Sequence, residues 1–256
     1  MSAERLDIAG VRIDLQLGER PPAGLERLAR FGGAGGPADW SLEVRAGASL
    51  PAGPPGRNLV VEEGRWVFPG AAEAAWLDPA ARSGLAPVDP GFLALDTLLR
   101  AAVAEAVLGR GGILLHGVAV AVDGAAHLCP ARSGSGKSTL AARSRHPLSD
   151  EISVLLPGSG GGFVAHATPW WSSRGGAAPL AAVYQLAWGG EGVERLSRTA
   201  LRALAANLVL PVDTPANRRR ALAVAAAVAS AVPFARLAFR PDSDVDALIR
   251  RGWPRG

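Results

Sequence analysis

Residues 131–138 read ARSGSGKS, the pattern G-x-x-x-x-G-K-[ST] with alanine in the first position. Each residue type has a task in holding a polyphosphate. Gly134 and Gly136 let the backbone turn so that the N–H groups of Ser133, Gly134, Ser135 and Gly136 point inward at phosphate oxygens. A helix starting at Lys137 adds its positive N-terminal end, with Thr139 in its first turn. Lys137 supplies a point charge to the β and γ phosphates, and the Ser138 hydroxyl a ligand to the Mg²⁺ that bridges them. A glycine-rich chain could match the pattern by chance, but Lys137 is the only lysine among 27 basic residues. Ala131 narrows the conformations open to the loop entrance.

An acid pair, Asp150-Glu151, follows after one short helix, between Pro147 and an apolar strand. In most nucleotide-binding chains with such a loop the metal-binding acid comes much later. Upstream, His116 lies in the apolar run LLHGVAV that leads to the loop. Phosphoryl transfer to a hydroxyl needs a carboxylate near the nucleophile and cations on the phosphates, which these residue types provide.

Taken in order, LLHGVAV, ARSGSGKST, LSDEISVLL, TPW and the ending VPFARLAFRPDSDVDALIR resemble the HPr serine kinase family and its small relatives in peptide natural-product gene clusters. The core of that family is similar to ATP-dependent phosphoenolpyruvate carboxykinase. The resemblance covers roughly residues 90–250. It implies an α/β fold with a mixed-sheet phosphate-loop core, ATP and Mg²⁺ as cofactors, and Asp150 as the general base for a serine hydroxyl, with His116 beside it. Glu151 stands for the family's second aspartate and joins Ser138 at the metal. Arg174-Gly175 matches an Arg-Gly pair and adds Arg174 to the nucleotide site, but Ser172 occupies the place of the family's metal-binding glutamate.

The expected activity is γ-phosphate transfer from ATP to a serine of a small protein or precursor peptide. The family's regulators are longer and hexameric, whereas the natural-product relatives are compact like this chain, which favours peptide tailoring and leaves homo-oligomerisation open. A nucleotide-binding accessory protein without turnover and a small-molecule kinase of the same fold stand as alternatives, because one loop serves different acceptors. The recognisable basic and metal-binding set of a carboxykinase is missing.

Other features read as structural. His127 and His146 are expected in loops or at the surface, with His166 left open; Cys129 is expected buried at a strand end. Trp170 and Trp171 could wall a base or a peptide, with packing favoured, and Arg218–Arg220 suits a solvated helix face. One cysteine excludes an internal disulfide framework and a multi-cysteine zinc site and fits a reducing cytoplasm. A net charge of +4 over 256 residues is a weak field, so nucleic acid is not an expected partner. The charged N-terminus does not suit a signal peptide, and the apolar run from Ala221 to Ala235 is too short for a bilayer, so no membrane association is expected.

These residues need elements to position them. Residues 1–90 read as a β-rich region of unknown role, with strands at Val11–Leu17 and Trp40–Ala46 and a hairpin from 58–61 and Arg65–Phe68. Residues 91–256 read as the ATP-binding domain. Its helices are expected from Phe92 to Gly109, at 137–145, 197–208 and 214–231, and from Ser243 onward. Strands are expected at Ile113–Val122, 125–129, 151–156, 162–168, 180–188 and 234–240. Disorder is expected at 30–38 and after Gly252, and a linker at 83–90.

Overall fold

The computed structural model describes residues 2–18, 25–33, 35–46, 59–68, 75–88, 93–170, 175–197 and 199–252. It is a mixed α/β chain that divides into two compact units, 1–106 with 210–218 and 107–209 with 219–256. This division gives the helix Leu93–Gly109 as far as Ala106, and the segment 210–218, to the first unit, so it differs from a single cut at residue 90.

The first unit is built on one seven-stranded sheet. Its strands are β1 (Ser2–Ile8), β2 (Val11–Leu17), β3 (Trp40–Ala46), β4 (Val60–Glu62), β5 (Arg65–Phe68), β6 (Ala75–Asp78) and β7 (Ser83–Val88), in the order β1-β2-β3-β7-β6-β5-β4. The sequence VRIDLQL alternates, and β2 accordingly buries Val11, Ile13, Leu15 and Leu17. Helix α1 (Leu93–Gly109) buries Leu95, Leu98, Leu99 and Ala102, the three-and-four spacing read from the sequence.

Two expectations are corrected here. Residues 83–88 are not a linker but β7, paired with both β3 and β6. Gly84 and Pro87 disguise the strand. Gly84 is needed because a Cβ there would lie 2.6 Å from the Trp76 carbonyl oxygen, and Pro87 sits beyond the last β6 pairing, Leu85 with Trp76. Nor are residues 30–38 disordered where they are described. A 3₁₀ turn covers Leu25–Phe31, Arg5 Nη1 donates to the Gly36 carbonyl at 2.6 Å, and Asp39 N–H donates to the Arg12 carbonyl at 2.7 Å. The tail after Gly252 and the start of the helix at Phe92 lie outside the described residues.

The second unit holds a nine-stranded mixed sheet and the remaining helices. In chain order come β8 (Ile113–Val122), β9 (Ala125–Pro130), α2 (Lys137–Arg143), β10 (Pro147–Ser149), β11 (Ile152–Pro157), β12 (Phe163–His166), β13 (Ala177–Trp188), β14 (Gly192–Arg195), α3 (Leu201–Ala205), β15 (Leu208–Val209), α4 (Pro215–Ala231, in this unit from Arg219), β16 (Phe234–Phe239) and α5 (Val245–Gly252). The order is β10-β8-β11-β12-β13-β16-β14, with β9 paired to β8 and β13, and β15 to β8. β8 reads as an unbroken apolar run because it is central. Its first half pairs with β11 and β15, its second half with β9 and β10.

Hairpin β8–β9 turns on Asp123-Gly124, both at positive φ (52° and 82°), the geometry that Asp-Gly favours. Ala9-Gly10 and Glu63-Gly64 make the same kind of turn with less telling first residues, which is why β1 escapes a reading of the sequence. Helix α3 is shorter than expected because Asn207 leaves the helix to accept the His116 N–H through its carbonyl at 2.7 Å, and β15 then joins β8. Strands β9, β13 and β16 run parallel, Leu128 beside Val183 and Val183 beside Phe234, so their carboxyl ends open on one edge. Among the described residues no helix is long and apolar enough to cross a membrane.

His127 corrects another expectation. It lies in β9, 3% exposed, with Nδ1 3.0 Å from the Tyr184 hydroxyl. Burial pushes its pKa down from 6.5 to about 4, opposed by the charges of Asp246 and Asp123. The unfolded chain therefore takes up a proton that the folded chain refuses. Stability should be full above pH 6.5 and decline as pH falls toward 4, by at most roughly 3 kcal/mol. Denaturant titrations across that range should show a flatter profile for His127→Gln; an unchanged slope would contradict this assignment.

Candidate functional site

The loop at 131–136 leaves the carboxyl end of β9 and enters α2. Its entrance is tied to the sheet, since Ala131 N–H donates to the His116 carbonyl at 3.2 Å. Ala131 keeps a negative φ, so alanine brings no strain where the pattern has glycine. Gly134 and Gly136, by contrast, take φ of 78° and 98°. Gly136 has a second reason to lack a side chain: a Cβ there would lie 2.5 Å from Trp188 Cζ2 and 3.3 Å from Phe239 Cζ. The first bond of α2 runs from Leu140 N–H to the Gly136 carbonyl, leaving the N–H groups of Lys137, Ser138 and Thr139 without intrahelical partners.

Lys137 is buried, and its Nζ reaches back over the loop to donate to the Arg132 carbonyl at 2.7 Å. Burial lowers the pKa of its ammonium, while the negative charges of Glu151 and Asp150 raise it. The acid pair is therefore within electrostatic reach of the lysine. Ser138 is exposed, and Ser133 and Gly134 are exposed beside it. Ser135 Oγ is buried with no hydrogen-bond partner among the described residues, an orphaned donor inside the loop.

Asp150 and Glu151, both half-buried, form the bend between β10 and β11. The backbone on either side is firmly held. Glu151 carbonyl accepts Gly117 N–H at 2.8 Å, and Ile152 carbonyl accepts the Thr168 hydroxyl at 2.6 Å. The buried hydroxyls of Ser149 and Ser153 bond to each other at 2.5 Å, and Ser153 also reaches the Gly117 carbonyl at 3.3 Å. His116, half-buried, pairs with Ile152 in register and gives its carbonyl to Ala131. The histidine, the loop and the acid pair named from sequence are thus joined by main-chain bonds along β8.

Arg174 and Ser172, with Trp171, lie outside the described residues. Trp170 is 2% exposed and packs, as expected. His146 is exposed and His166 half-buried in β12; Cys129 is fully buried, and burial pushes its thiol pKa up. Arg218 pairs with Asp213 on an exposed face. Among the described residues no group of three or more His, Cys, Asp or Glu gathers as a metal site. The oxygen donors at hand are the Ser138 hydroxyl and the Glu151 and Asp150 carboxylates. That donor set suits a hard cation taking one or two carboxylates and completed by phosphate oxygens.

Two residues at this edge carry no signal in the sequence. Trp188 ends β13 and Phe239 ends β16, and their rings meet at 4.8 Å between centroids, tilted by 34°. Only the parallel pairing of β9, β13 and β16 brings them to the loop. Compared with protein-family models and with curated proteins, the chain matches none.

The packing at Gly136 gives a direct test. Gly134→Ala should cost only backbone strain, because a Cβ there meets nothing within 4 Å. Gly136→Ala should cost about 1–3 kcal/mol more, from overpacking against Trp188. Denaturant unfolding of both variants checks this, and the difference should shrink when Trp188→Ala is added. A difference that stays the same in the Trp188→Ala background would contradict the contact.

Proposed function

We propose that this chain is an ATP-dependent kinase of the HPr serine kinase type, built on a phosphate-loop core similar to that of phosphoenolpyruvate carboxykinase. It transfers the γ-phosphate to a serine hydroxyl of a small protein or precursor peptide in the cytoplasm. The observation that carries this reading is the joining of the loop, its buried Lys137 and the Asp150-Glu151 bend through the main chain of β8. The ordered resemblance of the same segments to that family points the same way.

In this reading the loop N–H groups and Lys137 hold the β and γ phosphates, and Arg174 adds charge from downstream. The buried Ser135 hydroxyl has a polyphosphate oxygen as a natural acceptor partner. Mg²⁺ held by Ser138 and Glu151 would neutralise phosphate charge. Asp150 takes the proton of the acceptor hydroxyl as its oxygen bonds to the γ-phosphorus and the bond to the bridging oxygen breaks, releasing ADP. His116 acts beside Asp150, from the strand whose Gly117 N–H holds the Glu151 carbonyl.

Lys137→Ala should weaken both ATP binding and transfer. Asp150→Asn should keep ATP affinity and lower transfer by about 10²–10⁴-fold. Calorimetry with Mg-ATP, together with transfer of labelled phosphate to candidate peptides followed by mass, reads both. Full transfer by folded Asp150→Asn would remove the general base, and equal loss of ATP binding in both variants would put Asp150 at the metal instead. ATP binding by the wild type without transfer to any acceptor would favour the accessory reading. Ala131→Gly should leave ATP affinity unchanged, since Ala131 has no positive φ for glycine to relieve; abolished binding would overturn the loop's register.

A further inference from the structure

We infer that Trp188 is the platform on which the base of the bound nucleotide stacks, giving the loop a preference for nucleotides over bare polyphosphate; this rests on the phosphate-loop reading above. The strand supplies the first reason. β13 is parallel to β9, so its last residue emerges on the edge from which the loop leaves β9. Carboxyl ends of parallel strands are where α/β sheets take their ligands.

Exposure supplies the second. Ala182, Val183 and Tyr184 of the same strand are fully buried, yet Trp188 is 49% exposed. It is the only aromatic among the exposed large apolar side chains of the described residues. Trp170 and Tyr184, at 2% and 0% exposed, are too buried for the same task, whereas Trp188 has a ring face open to a ligand.

Rigidity supplies the third. Phe239, itself fully buried, holds the ring at 4.8 Å between centroids, and Gly136 fits against its six-membered edge with no room for a Cβ. The ring is thus fixed by its neighbours on the loop and β16 while much of its surface stays open. Gly136 immediately precedes Lys137, so the indole adjoins the residues that take the phosphates. A nucleotide is the occupant that joins both features in one molecule: an anionic end for Lys137 and a flat aromatic end for Trp188. Stacking on an aromatic side chain needs no particular hydrogen-bond pattern, and purines, with the larger face, gain more than pyrimidines.

Calorimetry with the Mg²⁺ complexes of ATP, CTP and inorganic tripolyphosphate, on wild type, Trp188→Ala and Trp188→Phe, tests this. Trp188→Ala should weaken ATP by about tenfold, CTP by less, and tripolyphosphate not at all, while Trp188→Phe retains most of the ATP affinity. Equal weakening of ATP and tripolyphosphate would make Trp188 a prop for the loop and overturn the inference, as would unchanged ATP affinity in Trp188→Ala. Wild-type protein that binds no tripolyphosphate would overturn the phosphate-loop reading itself, and the platform with it.

Discussion

At two adjacent residues of β8, His116 and Gly117, the main chain commits its hydrogen bonds to three separate parts of the sequence. The His116 N–H goes to Asn207, the His116 carbonyl receives Ala131 at the loop entrance, and the Gly117 N–H goes to Glu151 at the acid bend. A buried backbone donor or acceptor left unpaired is expensive, so none of these segments can drift without cost. Short stretches that would be mobile alone are therefore held in register with one central strand. The side chains of the candidate site take their positions from that arrangement.

The lysine gives the site its electrostatic character. Lys137 is drawn out of water, which disfavours its charge, and its Nζ has the Arg132 carbonyl within the loop as partner. Asp150 and Glu151 offset part of that penalty. An anion delivered to the loop would offset more, because opposite charge at short range is worth most where water is excluded. On the other side of the loop, the aromatic pair Trp188 and Phe239 leaves Gly136 no room for a side chain. One wall of the loop is thus charged and hydrogen-bonding, the other flat and apolar.

Much of this arrangement is legible in the amino-acid sequence. β2, β3, β5 and β8 occupy the expected ranges because their apolar residues alternate, or run unbroken between Gly and Pro signals. The strand, loop and helix around Lys137 are marked by residue types that the local backbone requires. The elements that escape such a reading depend on partners far away in the chain. β7 contains Gly84 and Pro87, tolerable only because of what β3 and β6 provide, and α3 is cut short by a carbonyl that His116 claims. His127 looks like a polar interruption until Tyr184 supplies its hydrogen bond. Trp188 gains meaning only from the parallel pairing that sets it against the loop.

Hydrogen exchange read by mass spectrometry, with and without Mg-ATP, addresses the central claim most directly, because it asks which backbone N–H groups the ligand engages. Protection is expected to concentrate in residues 131–140, which carry the loop and the start of the helix, with a second, smaller region over 148–153 around the acid bend. Unchanged exchange across 131–140 at saturating Mg-ATP, or protection confined to other parts of the chain, would contradict the assignment of this loop as the nucleotide site.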